Sequence, residues 1–414
     1  MTLAATSPTA TIPLAAARIR TGPAAWLRPA PAMFVLAWGG NHVTPLLHLY
    51  ETAAHLAAWQ ANLLLGVYVA GLVPGLLVAS AASDRVGRKP VMIAGALLSL
   101  AGSALLAVGP HQLALLLTGR ALAGAGVGIA MSVGTSWMKE LSSAPFDARA
   151  TASAGARRPS LTLTLGFALG AGITGALAQW APLPTLLPYL VHGVLTLAAT
   201  ALLLTAPESL PRERRATGAW WGELRVPSAA HRSFSRLVLP AAPWVFAAAG
   251  VAYAIMPAVV EHRLGDQATL YATVLTLLTL GSGAVAQPFV PRLNRATGGR
   301  ALAVGLALMT LGMLLAVVGA LVGDPMLALG IAVVLGIAYG ITVVSGLTIV
   351  QAIAGPRDLA GLTGVYYSLT YLGFLLPTLL AALLPVAPYP ASLAAVAAVC
   401  LACFVTVAIR IRRP

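Results

Sequence analysis

Ser83-Asp84-Arg85-Val86-Gly87-Arg88-Lys89 places four charges and a glycine between two long apolar stretches, near residues 61–82 and 90–109. A bilayer crossing takes ~20 mostly apolar residues, so each flank is a span and the charged run is the loop between them. Working outward, the same alternation of apolar run and break gives twelve spans, near 30–50, 61–82, 90–109, 112–135, 160–180, 184–205, 237–258, 268–290, 301–322, 326–350, 362–384 and 388–409. The ninth and tenth are separated only by the tight turn Gly323-Asp324-Pro325. The runs are too long and unbroken for a β-barrel, whose strands alternate apolar and polar over ~10 residues. Composition agrees: of 414 residues 59% are hydrophobic and 9% charged, against roughly 25% charged in soluble proteins. That excludes a water-soluble enzyme, a nucleic-acid binder and a disordered chain. Cys400 and Cys403, the only cysteines, exclude a disulfide framework and are too few for a metal site, so they read as packing residues. The fold expected is an all-α integral membrane protein.

Lys and Arg set the orientation. With the N-terminus taken as cytoplasmic, 23 of the 25 fall in the tails and the even-numbered connections; only Arg263 falls in an odd one, and only Arg120 lies within a span. This positive-inside bias predicts an even span count and both termini in the cytoplasm, in a cell inner membrane. It also accounts for the net charge of +14, which faces anionic lipid rather than nucleic acid. Residues 1–29 read as a cytoplasmic tail without a cleavable signal peptide.

The longest basic loop, 206–236, divides the chain into six-helix bundles at 30–205 and 237–409, followed by a short tail, 410–414. Trp220 and Trp221 in this linker suit a segment lying at the membrane interface. The halves echo one another at an offset of 210: Arg85 after the second span matches Arg295 after the eighth, and Glu51 matches Glu261. Repeated six-span halves around a midplane site are a transporter architecture.

Here the sequence resembles the major facilitator superfamily, over roughly 30–410. Asp84-Arg85-Val86-Gly87-Arg88-Lys89 is similar to the family's signature loop, with Ser80 where the family carries a leading glycine. Arg120 with Gly124, Gly126 and Gly128 resembles its second motif. Gly166, Gly170, Ala171, Thr174 and Gly175 resemble the motif associated with antiporters, with Ala171 replacing its proline and Thr174 a glycine. Trp38-Gly39-Gly40-Asn41-His42-Val43-Thr44-Pro45 is similar to efflux-type members. The resemblance implies twelve transmembrane helices in two pseudo-symmetric bundles, with a cavity lined by helices 1, 4, 7 and 10. It further implies that Asp84 sits at the start of helix 11, near Gly361, and holds the cytoplasmic side closed. Arg85, Gly87, Arg88 and Lys89 complete that gating loop; the alternative is a loop that only sets topology.

The polar residues within spans are few. Asn41, Thr44, His48 and Glu51 recur at helical spacing, so an unbroken helix 1 would align them on one face toward a cavity. His48 and Glu51 are placed to exchange a proton, while His42 points away and reads as packing. Arg120 lies roughly 14 Å deep, where a charge is functional or bonded to backbone carbonyls of helix 1. These five (Asn41, Thr44, His48, Glu51 and Arg120) are the candidates for proton coupling. Met131, Thr135, Trp244, Tyr253, Tyr339, Thr342 and Tyr367, with Thr370 and Tyr371 nearby, are the candidates for a greasy, weakly polar substrate cavity. Gly71-x-x-x-Gly75, Gly166-x-x-x-Gly170 and Gly336-x-x-x-Gly340 allow close helix contact.

No phosphate loop, zinc motif or nucleophile elbow is present, so ATP does not drive this chain and no enzymatic activity is expected. The reading is a monomeric secondary active transporter working by alternating access, with no cofactor beyond a proton gradient. Its function would be proton-coupled, antiporter-type export of a hydrophobic or amphipathic small molecule, a multidrug or metabolite efflux role. Uptake or facilitated diffusion of a small nutrient is the alternative, though cavity amides are scarce. A non-transporting membrane sensor is the third.

Overall fold

The computed structural model describes residues 25–151, 154–215, 226–355 and 359–411, and every regular element among them is helical. The N-terminal tail as far as residue 24 and linker residues 216–225, with Trp220 and Trp221, lie outside the described residues. Eleven spans are long and apolar enough to cross a bilayer: α2 (Ala58–Val86), α3 (Arg88–Val108), α4 (Leu113–Leu141), α5 (Ala154–Trp180), α6 (Leu187–Leu204), α7 (Phe234–Arg263), α8 (Gly265–Ala296), α9 (Ala301–Val322), α10 (Pro325–Ile353), α11 (Gly361–Leu383) and α12 (Tyr389–Ile411). The first span, α1, departs from the expected unbroken run. It is helical over Ala30–Asn41, turns through a 3-10 segment at Thr44–Leu46, and resumes over Leu47–Thr52. Pro45 explains the break, because it has no N–H and its ring collides with the carbonyl four residues back.

Glycines bring the helices together. A Cβ on Gly71 of α2 would stand 1.7 Å from the Ala121 carbonyl oxygen of α4, and one on Gly124 of α4 would stand 2.0 Å from that of Tyr68. In the other half, a Cβ on Gly340 of α10 would lie 2.3 Å from the Gly283 carbonyl oxygen of α8. Backbones this close gain dispersion and leave no room for a methyl group. Large apolar side chains such as Val194, Leu197, Leu321 and Val399 stay exposed on the outside of the bundle, as a lipid-facing surface requires.

The spans form two groups, α1–α6 and α7–α12, which meet where α2 packs on α11 and α5 on α8. The α2–α3, α4–α5 and α8–α9 connections, flanked by Arg88, Lys139, Arg158 and Arg292, mark one end of the molecule, called here the basic end; the α1–α2 and α7–α8 connections mark the distal end. At the distal turn between α9 and α10, Gly323 adopts φ +64°, and the Asp324 carboxylate accepts from the Met326 amide at 2.8 Å.

Candidate functional site

At the basic end, the signature loop is tied into its own half. Gly87 has φ +106°, a conformation that favours glycine, and a Cβ there would lie 2.6 Å from the Glu208 carboxylate. Glu208, beyond α6, accepts from the backbone amides of Arg88 and Lys89, each at 3.0 Å, capping the start of α3. Arg88 pairs with Asp84 and, at 3.0 Å, with Glu140 of α4. Lys89 Nζ donates to the Leu204 carbonyl at 3.1 Å, and Arg85 is engaged as well. Asp84 pairs with Arg88, one turn away, and Gly361 of α11 packs against Val226; residues 356–358, which lead into α11, lie outside the described residues. The capping role of Glu208 is not legible in the sequence, because a cap reaching across 120 residues has no local signal.

Arg120 is 1% exposed, and all three of its guanidinium nitrogens meet backbone. Nε donates to the Leu64 carbonyl at 3.0 Å, Nη1 to Gly39 at 3.3 Å and Nη2 to Gly40 at 3.3 Å. The Gly39 and Gly40 carbonyls are available because the α-helical ladder of α1 stops at Asn41. Arg120 thus repairs the break that Pro45 makes, and Tyr68 covers its face with the ring centroid 4.6 Å away. The break also scatters the expected polar stripe. Asn41 donates to the Phe167 carbonyl of α5 at 3.1 Å, and Thr44 donates to Asn41 at 2.8 Å, whereas His48 turns toward α7. His42, expected to pack, is fully buried between Tyr189 and His192 at ring distances of 4.9 and 5.1 Å.

Between the halves lies an aromatic cluster. Phe246 of α7 stacks on Tyr371 of α11 at 4.2 Å and approaches Phe374 at 4.7 Å and Tyr339 of α10 at 5.7 Å. Tyr68 of α2 reaches Tyr371 at 6.0 Å, and the Tyr371 hydroxyl meets the Met131 sulfur of α4 at 3.5 Å, linking the halves. Met131 and Tyr253 each sit on a π-helical turn, Ala130–Gly134 and Val251–Ile255, a local widening frequent at functional sites. Tyr253 approaches Phe374 at 6.4 Å, and Tyr367 lies beside Tyr366 at 5.6 Å. Trp244 is buried in α7, and Thr135 is half-buried on α4. Thr342 faces Gly305 of α9, away from the cluster. Tyr68, Phe246 and Phe374 were not among the sequence candidates; each reads as an ordinary apolar position until the halves are placed together.

The distal end is closed. His48 Nδ1 lies 3.3 Å from Glu261 Oε1, and the charges of Glu51 and Glu261 act on one another. Gln179 of α5 accepts from the Leu270 amide at 3.1 Å and donates to the Asp266 carbonyl at 2.9 Å, both in α8. A cavity of about 480 Å³, lined by His48, Ala258, Glu261, His262 and Gly265, opens at this end. Among the described residues, no three His, Cys, Asp or Glu side chains come together to hold a metal ion.

The profile of the Major Facilitator Superfamily matches residues 30–376. The chain belongs to this superfamily. It is a multi-pass membrane protein. A curated relative, the "Probable polyol transporter 3" of Arabidopsis thaliana, is 33% identical over 111 residues, which is 27% of this chain and 21% of that protein. The chain therefore matches about a fifth of that relative's length. Among solved structures, the nucleoside transporter NupG superposes with a TM-score of 0.72 at 12% identity, covering 94% of this chain and 100% of that one. A peptide transporter of the POT family gives 0.73 at 15%, covering 94% and 95%. The human organic anion transporter MFSD10 gives 0.63 at 19%, covering 92% and 99%. At these identities the likeness is one of fold.

Proposed function

We propose that this superfamily member is a proton-linked exporter of hydrophobic or amphipathic small molecules, working as a monomer by alternating access. The basic end would face the cytoplasm of a cell with an energised inner membrane, following the Lys and Arg bias. One observation carries the substrate class. The contact between the halves is built from Tyr68, Phe246, Tyr253, Tyr339, Tyr371, Phe374 and Met131. Aromatic faces and a thioether fit flat apolar rings and re-pack around different ones. A sugar-like solute would need several amides and acids there, and Asn41 already bonds within its own half.

In this reading the signature loop, with Asp84, Arg85, Gly87, Arg88 and Lys89, braces the N-terminal half so that it moves as one body. His48, Glu51 and Glu261 form a distal latch that faces the proton-rich side. Arg120 holds the broken α1 in shape beside the cavity. The distal closure described above then corresponds to the state that receives substrate from the cytoplasm.

The test is ethidium accumulation in cells with and without the protein, each repeated with a protonophore and with Tyr371→Ala. Lower accumulation that the protonophore and the variant both abolish supports proton-driven export through the aromatic site. Higher accumulation would indicate uptake, and export that survives the protonophore would remove the proton linkage.

A further inference from the structure

Proton linkage needs a group that binds a proton inside the membrane and exchanges it with the two sides in turn. None of the nine acids among the described residues is placed for that: each lies in a loop or near the end of a span. Of the seven histidines, only His42 and His192 stand away from the ends. His192 is satisfied as a neutral ring. Its Nε2 donates to the Val35 carbonyl at 2.8 Å, and its Nδ1 accepts from Ser103 at 2.8 Å. His42 is 0% exposed, and among the described residues neither of its ring nitrogens has a hydrogen-bond partner. A buried donor and acceptor left unmet destabilise the protein, so a fold that retains both has a use for them in another state.

We infer that His42 is the residue that carries the proton, an assignment resting on the proton-linked reading above. The rings packed on it are Tyr189 and His192 from α6, Tyr50 bonds the far side of Tyr189, and Arg120 from α4 holds the backbone just before it. The hydroxyls of Ser99 and Ser103 on α3 lie around the same His192 ring. Arg120 donates to the carbonyls of Gly39 and Gly40, within one turn of His42. A second proton on His42 would therefore sit beside a guanidinium, with two N–H groups and no acceptor. The distal-closed state expels that proton. Opening of the distal end admits water to the ring and lets it load. The hydroxyl pair Tyr50 and Tyr189 joins this site to the resumed segment of α1 that carries His48 and Glu51. Loading from the distal side and release in the distal-closed state move protons toward the basic end, the direction an exporter requires.

The test uses the full chain in lipid nanodiscs with ring-15N histidine, followed from pH 5 to 8. One titrating ring signal, absent from His42→Gln and His42→Asn but present in His192→Gln, is expected. In pyranine-loaded proteoliposomes, ethidium-linked proton movement falls about tenfold in His42→Gln, while ethidium counterflow stays within about twofold of wild type. A His42 signal constant across the range, or proton movement unchanged in both folded His42 variants, overturns the assignment. If the wild type moves no ethidium, the export reading fails, and the histidine titration still decides the role of His42.

Discussion

His48 Nδ1 stands 3.3 Å from Glu261 Oε1, and the two residues belong to opposite halves of the molecule. Among the described residues few polar contacts join the halves, and this one sits at the distal mouth with the Gln179 bonds to α8 beside it. A half-exposed contact of this kind contributes about 0.2–1 kcal/mol when the histidine carries a charge, and an ordinary hydrogen bond about 0.5–1.5 kcal/mol. Such a latch biases the closed state without locking it, so binding of a substrate can overturn it.

Glu261→Gln weakens the latch. The distal-open population rises by roughly twofold to fivefold, corresponding to a loss of about 1 kcal/mol or less. Labelling of an Ala258→Cys reporter by a membrane-impermeant maleimide should accelerate by that factor, since Ala258 lines the distal cavity.

Gln179→Ala acts on the same equilibrium from α5. The Leu270 amide is one of the first N–H groups of its helix and has no partner within it, so Gln179 supplies a cap from the opposite half. Hydrogen exchange at Leu270 should quicken by roughly tenfold, matching the loss of about 1–2 kcal/mol from two hydrogen bonds.

Arg120→Leu leaves the Leu64, Gly39 and Gly40 carbonyls without their donor in a buried setting. Each unmet group costs about 1–3 kcal/mol, so the melting temperature in detergent should fall and ethidium export should cease. Arg120→Lys should fold better yet export poorly, because a compact ammonium cannot reach three carbonyls in the fork geometry of a guanidinium.

Gly124→Ala should abolish folded protein, read as loss of the monodisperse peak in size-exclusion chromatography, because its Cβ would stand 2.0 Å from the Tyr68 carbonyl oxygen. Gly330→Ala on α10 is the control: nothing lies within 4 Å of a Cβ there, and its peak should be unchanged.

Twelve apolar runs and the Lys and Arg bias made the fold legible, because hydrocarbon imposes its length and polarity on every span. The broken α1 was not foreseen, although Pro45 stood in plain view: an apolar run of the right length reads as one helix whatever its backbone does inside. That break explains why Asn41 and Thr44 turn toward α5 while His48 reaches α7. Arg120 was legible as the one basic residue within a span; its three carbonyl partners depend on α1 and α2 being brought beside α4. Gln179 and Glu208 carried no local signal, since each acts on backbone amides distant in sequence.

Alternating access requires the two halves to open and close in turn at the distal end. Spin labels at Thr52→Cys on α1 and Arg263→Cys on α7, both exposed, allow double electron–electron resonance to measure that motion in nanodiscs. Two distance populations are predicted, with Glu261→Gln shifting weight to the longer one. A single distance, unchanged by Glu261→Gln, by ethidium and by pH, would contradict alternating access and return the molecule to the class of non-transporting membrane proteins.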